Sequence, residues 1–261
     1  MSMVQSPDIV ANLHHVEERI AAACARVGRE RREVTLVAVS KTRSLEEMVA
    51  AYHVGVRHWG ENRIEEAETK IPVLRPVFAG DPVTWHMIGH VQSRKARRVA
   101  ELCDMVHSVD SLPLAMRLDR YAGEMGKRLP ILLEINVSGE ESKYGFPAWD
   151  QDRCASFRAQ VGALAKLAHL EVRGLMTMAP VAADPELARH VFRRLRELRD
   201  VLRQHAPFVT WPELSMGMTD DYEVAIEEGA TIVRVGRAIF GGTISGGAIS
   251  GPSTYQEQLN R

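Results

Sequence analysis

A lysine stands directly after a short apolar run, at the point where a buried strand is predicted to end. Residues 36–39 are apolar without a break and include β-branched valines, which favours a strand buried on both faces. Parallel α/β proteins bind ligands at the carboxyl ends of their strands, so Lys41 is a candidate site residue. Partial desolvation there favours a neutral amine, which Schiff-base chemistry needs. The alternative is a solvated lysine at a strand end.

Small and polar residues follow the other predicted strands too. We call the residues at and just after the carboxyl end of each predicted strand the strand exits. They include Asn62, Gly89 and His90, Ser108 to Asp110, Asn136, Met176 to Met178, Ser215 to Gly217, Arg234 and Gly236. The set offers no carboxylate pair suited to glycoside hydrolysis and no cluster with metal-ligand spacing. No G-x-S-x-G nucleophile elbow occurs either.

Two features near the end of the chain could bind a ligand. A helix start after Gly236 would present free backbone N–H groups to a phosphate, and Ser215 could add a hydroxyl. Gly236 could equally be a plain turn residue. Arg234 alternates with Val233 and Val235, so we expect it to point into the barrel. Its partner would be a ligand acceptor or a core carboxylate such as Glu134.

The predicted elements alternate between strand and helix. Eight strand–helix units follow an N-terminal helix at about residues 7–27, whose start is predicted at Ser6, Pro7 and Asp8. Eight such units fill one closed (β/α)8 TIM barrel of the α/β class. A doubly wound open sheet is the competing architecture, but no G-x-G-x-x-G follows any strand. Residues 71–82 contain three prolines and a glycine, which predicts a loop.

We therefore expect one domain over residues 1–241 and a flexible Gly/Ser-rich tail over residues 242–261. Composition narrows the function class: the net charge of −1 favours neither a nucleic-acid nor a membrane partner. Three widely spaced cysteines, with no evident signal peptide, fit a reducing cytoplasm.

The basic run at 93–98 is interpreted as a solvated helix face. His86, His90 and His107 are interpreted as packing or hydrogen-bonded residues, and Met176 and Met178 as barrel filling.

Eight short motifs occur in order along the chain. They are VSKT at 39–42, GEN at 60–62, HMIGHVQ at 86–92, HSVD at 107–110, KYGF at 143–146, GLM at 174–176, LSMGM at 214–218 and VRVGRAIFG at 233–241. Together they resemble the pyridoxal phosphate homeostasis proteins, which are single-domain relatives of the alanine racemase barrel. The resemblance covers about residues 8–241.

The resemblance implies that pyridoxal 5'-phosphate (PLP) is held at Lys41 as a Schiff base. It implies that Arg234 faces the pyridine nitrogen and that Asn62 lies near the cofactor. Ser215, Gly236 and Arg237 would surround the phosphate, although the family often has a small hydroxyl residue at the position of Arg237. The candidate cofactor-binding residues are Lys41, Asn62, Met176, Ser215, Met216, Arg234, Gly236 and Arg237.

An arginine opposite the ring nitrogen would keep that nitrogen unprotonated and the cofactor a weak electron sink. Fewer than thirty residues follow the eighth predicted strand, so we expect an open mouth without the second domain of the racemases. The expected function is PLP homeostasis by a monomer that holds PLP and delivers it to apo PLP enzymes. The alternative is a PLP-dependent racemase or lyase of amino acids. A phosphosugar Schiff-base barrel is disfavoured by Arg234 and by the motifs.

Overall fold

The computed structural model of the protein describes residues 8–241, which form a closed barrel of parallel strands surrounded by helices. The strands are β1 (Thr35–Val39), β2 (His58–Glu61), β3 (Thr84–Met87), β4 (Met105–Val109), β5 (Leu129–Asn136), β6 (Phe146–Pro147), β7 (Leu170–Met176), β8 (Glu213–Ser215) and β9 (Ile232–Val235). Eight of them form the barrel in the order β1-β2-β3-β4-β5-β7-β8-β9, and β9 pairs with β1 to close it. The predicted TIM barrel is confirmed.

Helices connect the strands on the outside of the barrel. They are α1 (Ile9–Arg26), α2 (Leu45–His53), α3 (Ile64–Val77), α4 (Ala96–Leu102), α5 (Leu112–Glu124), α6 (Gln151–Leu164), α7 (Arg189–His205), α8 (Tyr222–Glu227) and α9 (Arg237–Phe240). Short 3-10 turns lie at Arg31–Glu33, Ser93–Lys95 and Pro185–Ala188. No helix within residues 8–241 is both long and apolar enough to cross a membrane.

The start of α1 differs from the prediction. Asp8 is the N-cap, and its side chain accepts a hydrogen bond from the Ala11 N–H at 3.0 Å. Ser6 and Pro7, predicted as the cap and the first helical residue, lie outside the described residues, as does the predicted tail at 242–261. The apolar face of α1 is buried as predicted, since Val16 and Ile20 are at most 1% exposed.

The core has two parts because every strand has an inner and an outer face. The outer part fills the space between the barrel and the helices, and it includes a stack of Trp59, Phe78, Trp85 and Phe240. The inner part is a small apolar plug across the barrel interior. It consists of Val37, Met105, Leu132, Met176 and Ile232. Polar inward side chains lie beside these residues, and those at the carboxyl ends of the strands form the candidate site.

The predicted loop at 71–82 is wrong for most of its length. Helix α3 continues to Val77 through Pro72 and Pro76. A proline inside a helix removes one backbone hydrogen bond, but these two are four residues apart and lie on the exposed face. On the other face Leu74 is fully buried, and the Phe78 N–H caps the helix at the Leu74 carbonyl. Burial of this apolar face outweighs the lost bonds.

Two loops at the mouth carry further structure. Residues 138–147 include β6, which pairs with the end of β5. The N-cap of α8 is Asp221. The Asp221 side chain accepts from the Met218 N–H at 2.6 Å, whereas Asp220 pairs with Arg237. The loop after β8 is therefore tied to the start of α9.

Gly174 in β7 is required by the close approach of the neighbouring strand. A Cβ atom at this position would lie 1.9 Å from the Glu213 carbonyl oxygen of β8. Backbone cannot move aside cheaply, so we expect Gly174→Ala to lower the free energy of unfolding by about 3 kcal/mol. Urea denaturation measures this change.

Gly162 in α6 provides the matched control, because a Cβ there meets no atom within 4 Å. Gly162→Ala should leave stability unchanged or raise it by roughly 0.5–1 kcal/mol, since alanine is the better helix former. Equal effects of the two substitutions would contradict the close approach of β7 and β8.

Candidate functional site

The barrel brings the predicted strand exits to one mouth. Lys41 follows β1 and is exposed, Asn62 follows β2, and Arg234 lies in β9 with its side chain pointing inward. Strands β1 and β9 are direct neighbours, with Val37 opposite Arg234 in the register. Parallel strands end on the same side, so the lysine and the arginine share this mouth.

A buried polar network fixes the backbone beside Lys41. Lys70 of α3 donates to the Ser40 carbonyl at 2.7 Å and to Glu61 Oε1 at 3.1 Å. The Ser40 hydroxyl donates to the same Glu61 oxygen at 2.7 Å. Thr42 has a left-handed φ of 61°, and its N–H donates to Glu66 Oε2 at 2.7 Å. The Lys41 backbone is thus held on both sides, while the residue is exposed to solvent.

Arg234 is a buried cation with neutral partners. Its guanidinium donates to Ser215 Oγ at 2.6 Å and to the Thr177 carbonyl at 3.0 Å. Among residues 8–241 no carboxylate lies within ion-pair distance of Arg234. The ion pair with Glu134, one of its two predicted partners, is therefore not formed. Burial lowers the pKa of Arg234 to about 10, with Asp221 and Glu134 opposing the shift. Arg234 therefore stays charged at neutral pH.

Ser215 and Met216 occupy places that the sequence did not reveal. The Ser215 hydroxyl is fully buried between Arg234 and His107, so it contacts the guanidinium and has no open path to a phosphate. Met216 is the next residue along the chain, and its side chain points the other way into the outer core. Only the backbone of Met216 faces the mouth. Met176 is fully buried in the inner plug.

The start of α9 lies beside β1 at the mouth. A Cβ at Gly236 would be 3.2 Å from the Val39 carbonyl oxygen, so the glycine permits this close approach. Arg237 and Ala238 are the first helical residues, and N–H groups at these positions lack acceptors within a helix. The Arg237 side chain turns away to Asp220. Half-buried Thr219, which the sequence reasoning missed, is the hydroxyl residue next to this pair.

Two acceptor atoms at the mouth have no hydrogen-bond partner in the described part of the chain. They are Asn62 Oδ1 and Glu134 Oε2. Asn62 lines a cavity of about 410 Å³ together with Glu66 and His90. Glu134 of β5 is only 3% exposed, and burial raises its pKa to about 7, assisted by Asp110 and opposed by Arg234 and Lys143. Both atoms could accept from a bound ligand.

Three histidines join Arg234 and Ser215 in a line through the barrel. His107 Nδ1 is 2.9 Å from Ser215 Oγ, and His107 Nε2 is 2.9 Å from His86 Nδ1. His86 Nε2 is 3.0 Å from His58 Nδ1. We call these five residues the histidine file. The sequence reasoning missed this line, although an inward histidine on each of three consecutive strands was a visible signal.

The histidines pair one after another, so they do not converge on a point. No group of His, Cys, Asp or Glu side chains within residues 8–241 could hold a metal ion. The interpretation of His86 and His107 as hydrogen-bonded residues is confirmed. His90 lies outside the file, where it stacks on Tyr144 and pairs with Asp110 at 3.0 Å.

Comparison with known proteins agrees with this architecture. The family profile described as alanine racemase, N-terminal domain, matches residues 11–244. The pyridoxal phosphate homeostasis protein of Aquifex aeolicus is 38% identical over 229 residues, which cover 88% of this chain and 96% of the relative. The chain belongs to the pyridoxal phosphate homeostasis protein family. The resemblance inferred from the eight motifs is confirmed.

Solved structures place this family member among related barrels. PipY of Synechococcus elongatus, solved with PLP bound, is 36% identical with a TM-score of 0.75, and the match covers 90% of this chain and all of PipY. Alanine racemase of Corynebacterium glutamicum is 17% identical with a TM-score of 0.65. That match covers 92% of this chain but 64% of the racemase, and at this identity it shows the shared fold alone.

The raised pKa of Glu134 predicts a pH-dependent stability. The folded protein binds this proton more tightly than the unfolded chain, whose glutamates titrate near pH ~4.3. The stabilising effect is full below that value and is lost as the pH rises through about 7. Glu134→Gln should therefore gain roughly 3 kcal/mol relative to wild type between about pH 4.5 and about pH 8.

Urea denaturation of both proteins at the two pH values measures this difference. Glu197→Gln on the exposed face of α7 is the control, and its effect should stay within about 0.5 kcal/mol at both. A Glu134→Gln difference that does not change with pH would contradict the raised pKa.

Proposed function

We propose that this protein binds PLP through a Schiff base to Lys41 and serves PLP homeostasis, without catalysing a reaction of its own. The observation that carries the proposal is the pairing, at one mouth, of an exposed lysine with a buried arginine that has only neutral partners. Family membership supports the same cofactor, because the relatives are named for PLP homeostasis and PipY was solved with PLP.

The residues present fit the cofactor. Lys41 supplies the amine, and its backbone is held by the Ser40, Glu61 and Lys70 network. Asn62 offers an unpartnered amide oxygen to the cofactor at the mouth. The backbone N–H groups after Gly236 would bind the phosphate, and the close packing of Gly236 on Val39 keeps them at the mouth. Thr219 and the backbone of Met216 complete this side.

Three candidate roles are proposed differently in the light of these contacts. Ser215 acts on the cofactor through Arg234, because its hydroxyl is buried under the guanidinium. Arg237 contributes its N–H, since its side chain pairs with Asp220. Met176 supports the site from the plug beneath it. The phosphate is thus recognised mostly by backbone donors, which suit a dianion without a fixed counter-charge.

Arg234 explains why this family member would hold the cofactor without using it. PLP supplies an electron sink when its ring nitrogen is protonated. Arg234 is charged and cannot accept a proton, so it presents a donor and a positive charge to that nitrogen. Both effects keep the nitrogen unprotonated. The site binds and orients the cofactor but withdraws little charge from a substrate carbanion.

The biological setting belongs to the same proposal. The protein acts as a monomer in the cytoplasm, and its single barrel over residues 1–241 delivers PLP to apo PLP enzymes. Cys24, Cys103 and Cys154 are all free, which suits a reducing compartment. A racemase or lyase is the second candidate, and Glu134 is the observation that favours it. A carboxyl with a pKa of about 7 at the mouth is suited to proton transfer near neutral pH.

The site of attachment is tested by chemical labelling. Borohydride reduction of the PLP-loaded protein should leave the pyridoxyl label on Lys41, because its amine projects into the mouth while its backbone is fixed. Peptide mapping locates the label. Lys41→Ala should lose the label and keep its stability, with Lys166→Ala, at an exposed position two residues beyond the end of α6, as the control that keeps both. Labelling centred on Lys143 would contradict the assignment.

The absence of catalysis is tested by an amino-acid panel. PLP-loaded protein is incubated with L-amino acids, and racemisation and elimination are followed by chiral chromatography and keto-acid detection. We expect rates no higher than those of free PLP, because Arg234 limits carbanion stabilisation. A rate above that of free PLP, lost in the Glu134→Gln variant, would show that the protein is an enzyme and contradict the proposed carrier function.

A further inference from the structure

The histidine file has a property that the binding of PLP does not require. Burial lowers the pKa of His86 to about 3 and that of His107 well below its ordinary value, so both are neutral. A neutral imidazole carries one N–H and one bare nitrogen, and it can donate at only one end. Each histidine in the file must therefore accept from one neighbour and donate to the other. The N–H groups of all three histidines therefore point in the same direction along the file, either toward the mouth or away from it.

The cation at the mouth decides between the two directions. Arg234 can only donate, so Ser215 Oγ accepts from it. If His107 also donated to Ser215, its N–H dipole would point its positive end at the buried guanidinium. If instead the Ser215 hydroxyl donates to His107 Nδ1, every N–H further along points away from Arg234. A hydroxyl that donates is also a better acceptor, which strengthens the bond from Arg234.

The far end of the file lies near ion pairs rather than near an unpaired cation. His58 is the first residue of β2, is only partly buried, and lines a cavity of about 500 Å³ at the amino end of the barrel. Burial lowers the pKa of His58, and the Glu213 carboxylate of β8 opposes that shift. The neighbouring Arg57 is neutralised by Asp81 at 2.7 Å. Glu213 also pairs with Arg173 at 3.2 Å, which reduces its field at His58, so the direction of the file is decided mainly at Arg234.

We propose that the histidine file has one fixed direction, from Arg234 to His58, and that His107 and His86 are positioning residues for Arg234. His58, His86 and His107 each carry their proton on Nε2 and accept at Nδ1. The guanidinium is thereby held at the mouth by a polarised neutral chain, so its charge is not cancelled. The consequence for the ring nitrogen rests on the proposed function, but the direction of the file does not.

The direction is read by long-range proton–nitrogen NMR of the full-length protein labelled with 15N-histidine, recorded without and with PLP. We expect a protonated Nε2 and a bare Nδ1 for His86 and His107 in both samples. A protonated Nδ1 on either residue, or averaging between the two forms, would overturn the proposal. Because the unliganded protein gives the answer, a failure to bind PLP is distinguished from a failure of the file.

Arg234→Gln tests the cause. It removes the charge but keeps an amide donor, so the two histidines should become mixtures of both protonated forms. His90→Gln is the control, since His90 lies outside the file, and it should leave the resonances of His86 and His107 unchanged. An Arg234→Gln protein with unchanged Nε2 protonation would show that the charge does not set the direction.

The positioning role is tested with paired substitutions at His107. Asparagine can place its amide oxygen near the position of Nδ1 and still accept from Ser215, whereas phenylalanine cannot. His107→Phe should shift the visible absorption of bound PLP and weaken its affinity, and His107→Asn should restore both toward wild type. Equal spectra for the two variants would contradict positioning through Ser215.

Discussion

A buried guanidinium without a carboxylate partner is the constraint on which the mouth of this barrel depends. Burying a charge is costly unless it is well hydrogen-bonded, and here the compensation comes from the Ser215 hydroxyl and the Thr177 carbonyl. A carboxylate in contact with Arg234 would cancel the charge and remove its effect on a ring nitrogen. Neutral acceptors keep the cation both buried and effective. As a consequence of this burial the pKa of Arg234 falls to about 10, which still leaves it charged at neutral pH.

The same constraint organises the rest of the interior. The Ser215 hydroxyl is occupied by Arg234 and His107, so under the proposed function a phosphate would be bound by the backbone N–H groups after Gly236. Glu134 is close enough to influence Arg234 but makes no ion pair with it, and its own burial favours the protonated form near neutral pH. The mouth thus combines an arginine that stays charged with a carboxyl whose charge varies near neutral pH.

Rigidity and openness are divided between two parts of the site. The backbone around Lys41 is fixed by the Ser40, Glu61 and Lys70 network, while the lysine side chain remains exposed. Under the proposed function, a fixed backbone with a solvent-exposed side chain suits loading and release of a cofactor. An enzyme of the same fold would need to exclude water and to supply an electron sink. The exposure of Lys41 to solvent therefore supports the proposed carrier role.

The sequence by itself predicted the barrel, the position of Lys41 after the first strand and the inward direction of Arg234, because hydrophobic runs and strand alternation are local patterns. It failed at α3, where burial of Leu74 and Phe78 outweighed two prolines. The contacts of Ser215, Met216 and Arg237 were decided only by the tertiary structure. So was the contact that joins the three histidines of consecutive strands to Ser215 and Arg234, which lie more than a hundred residues further along the chain. Local pattern specifies which face a side chain occupies, whereas barrel closure determines which partner it meets there.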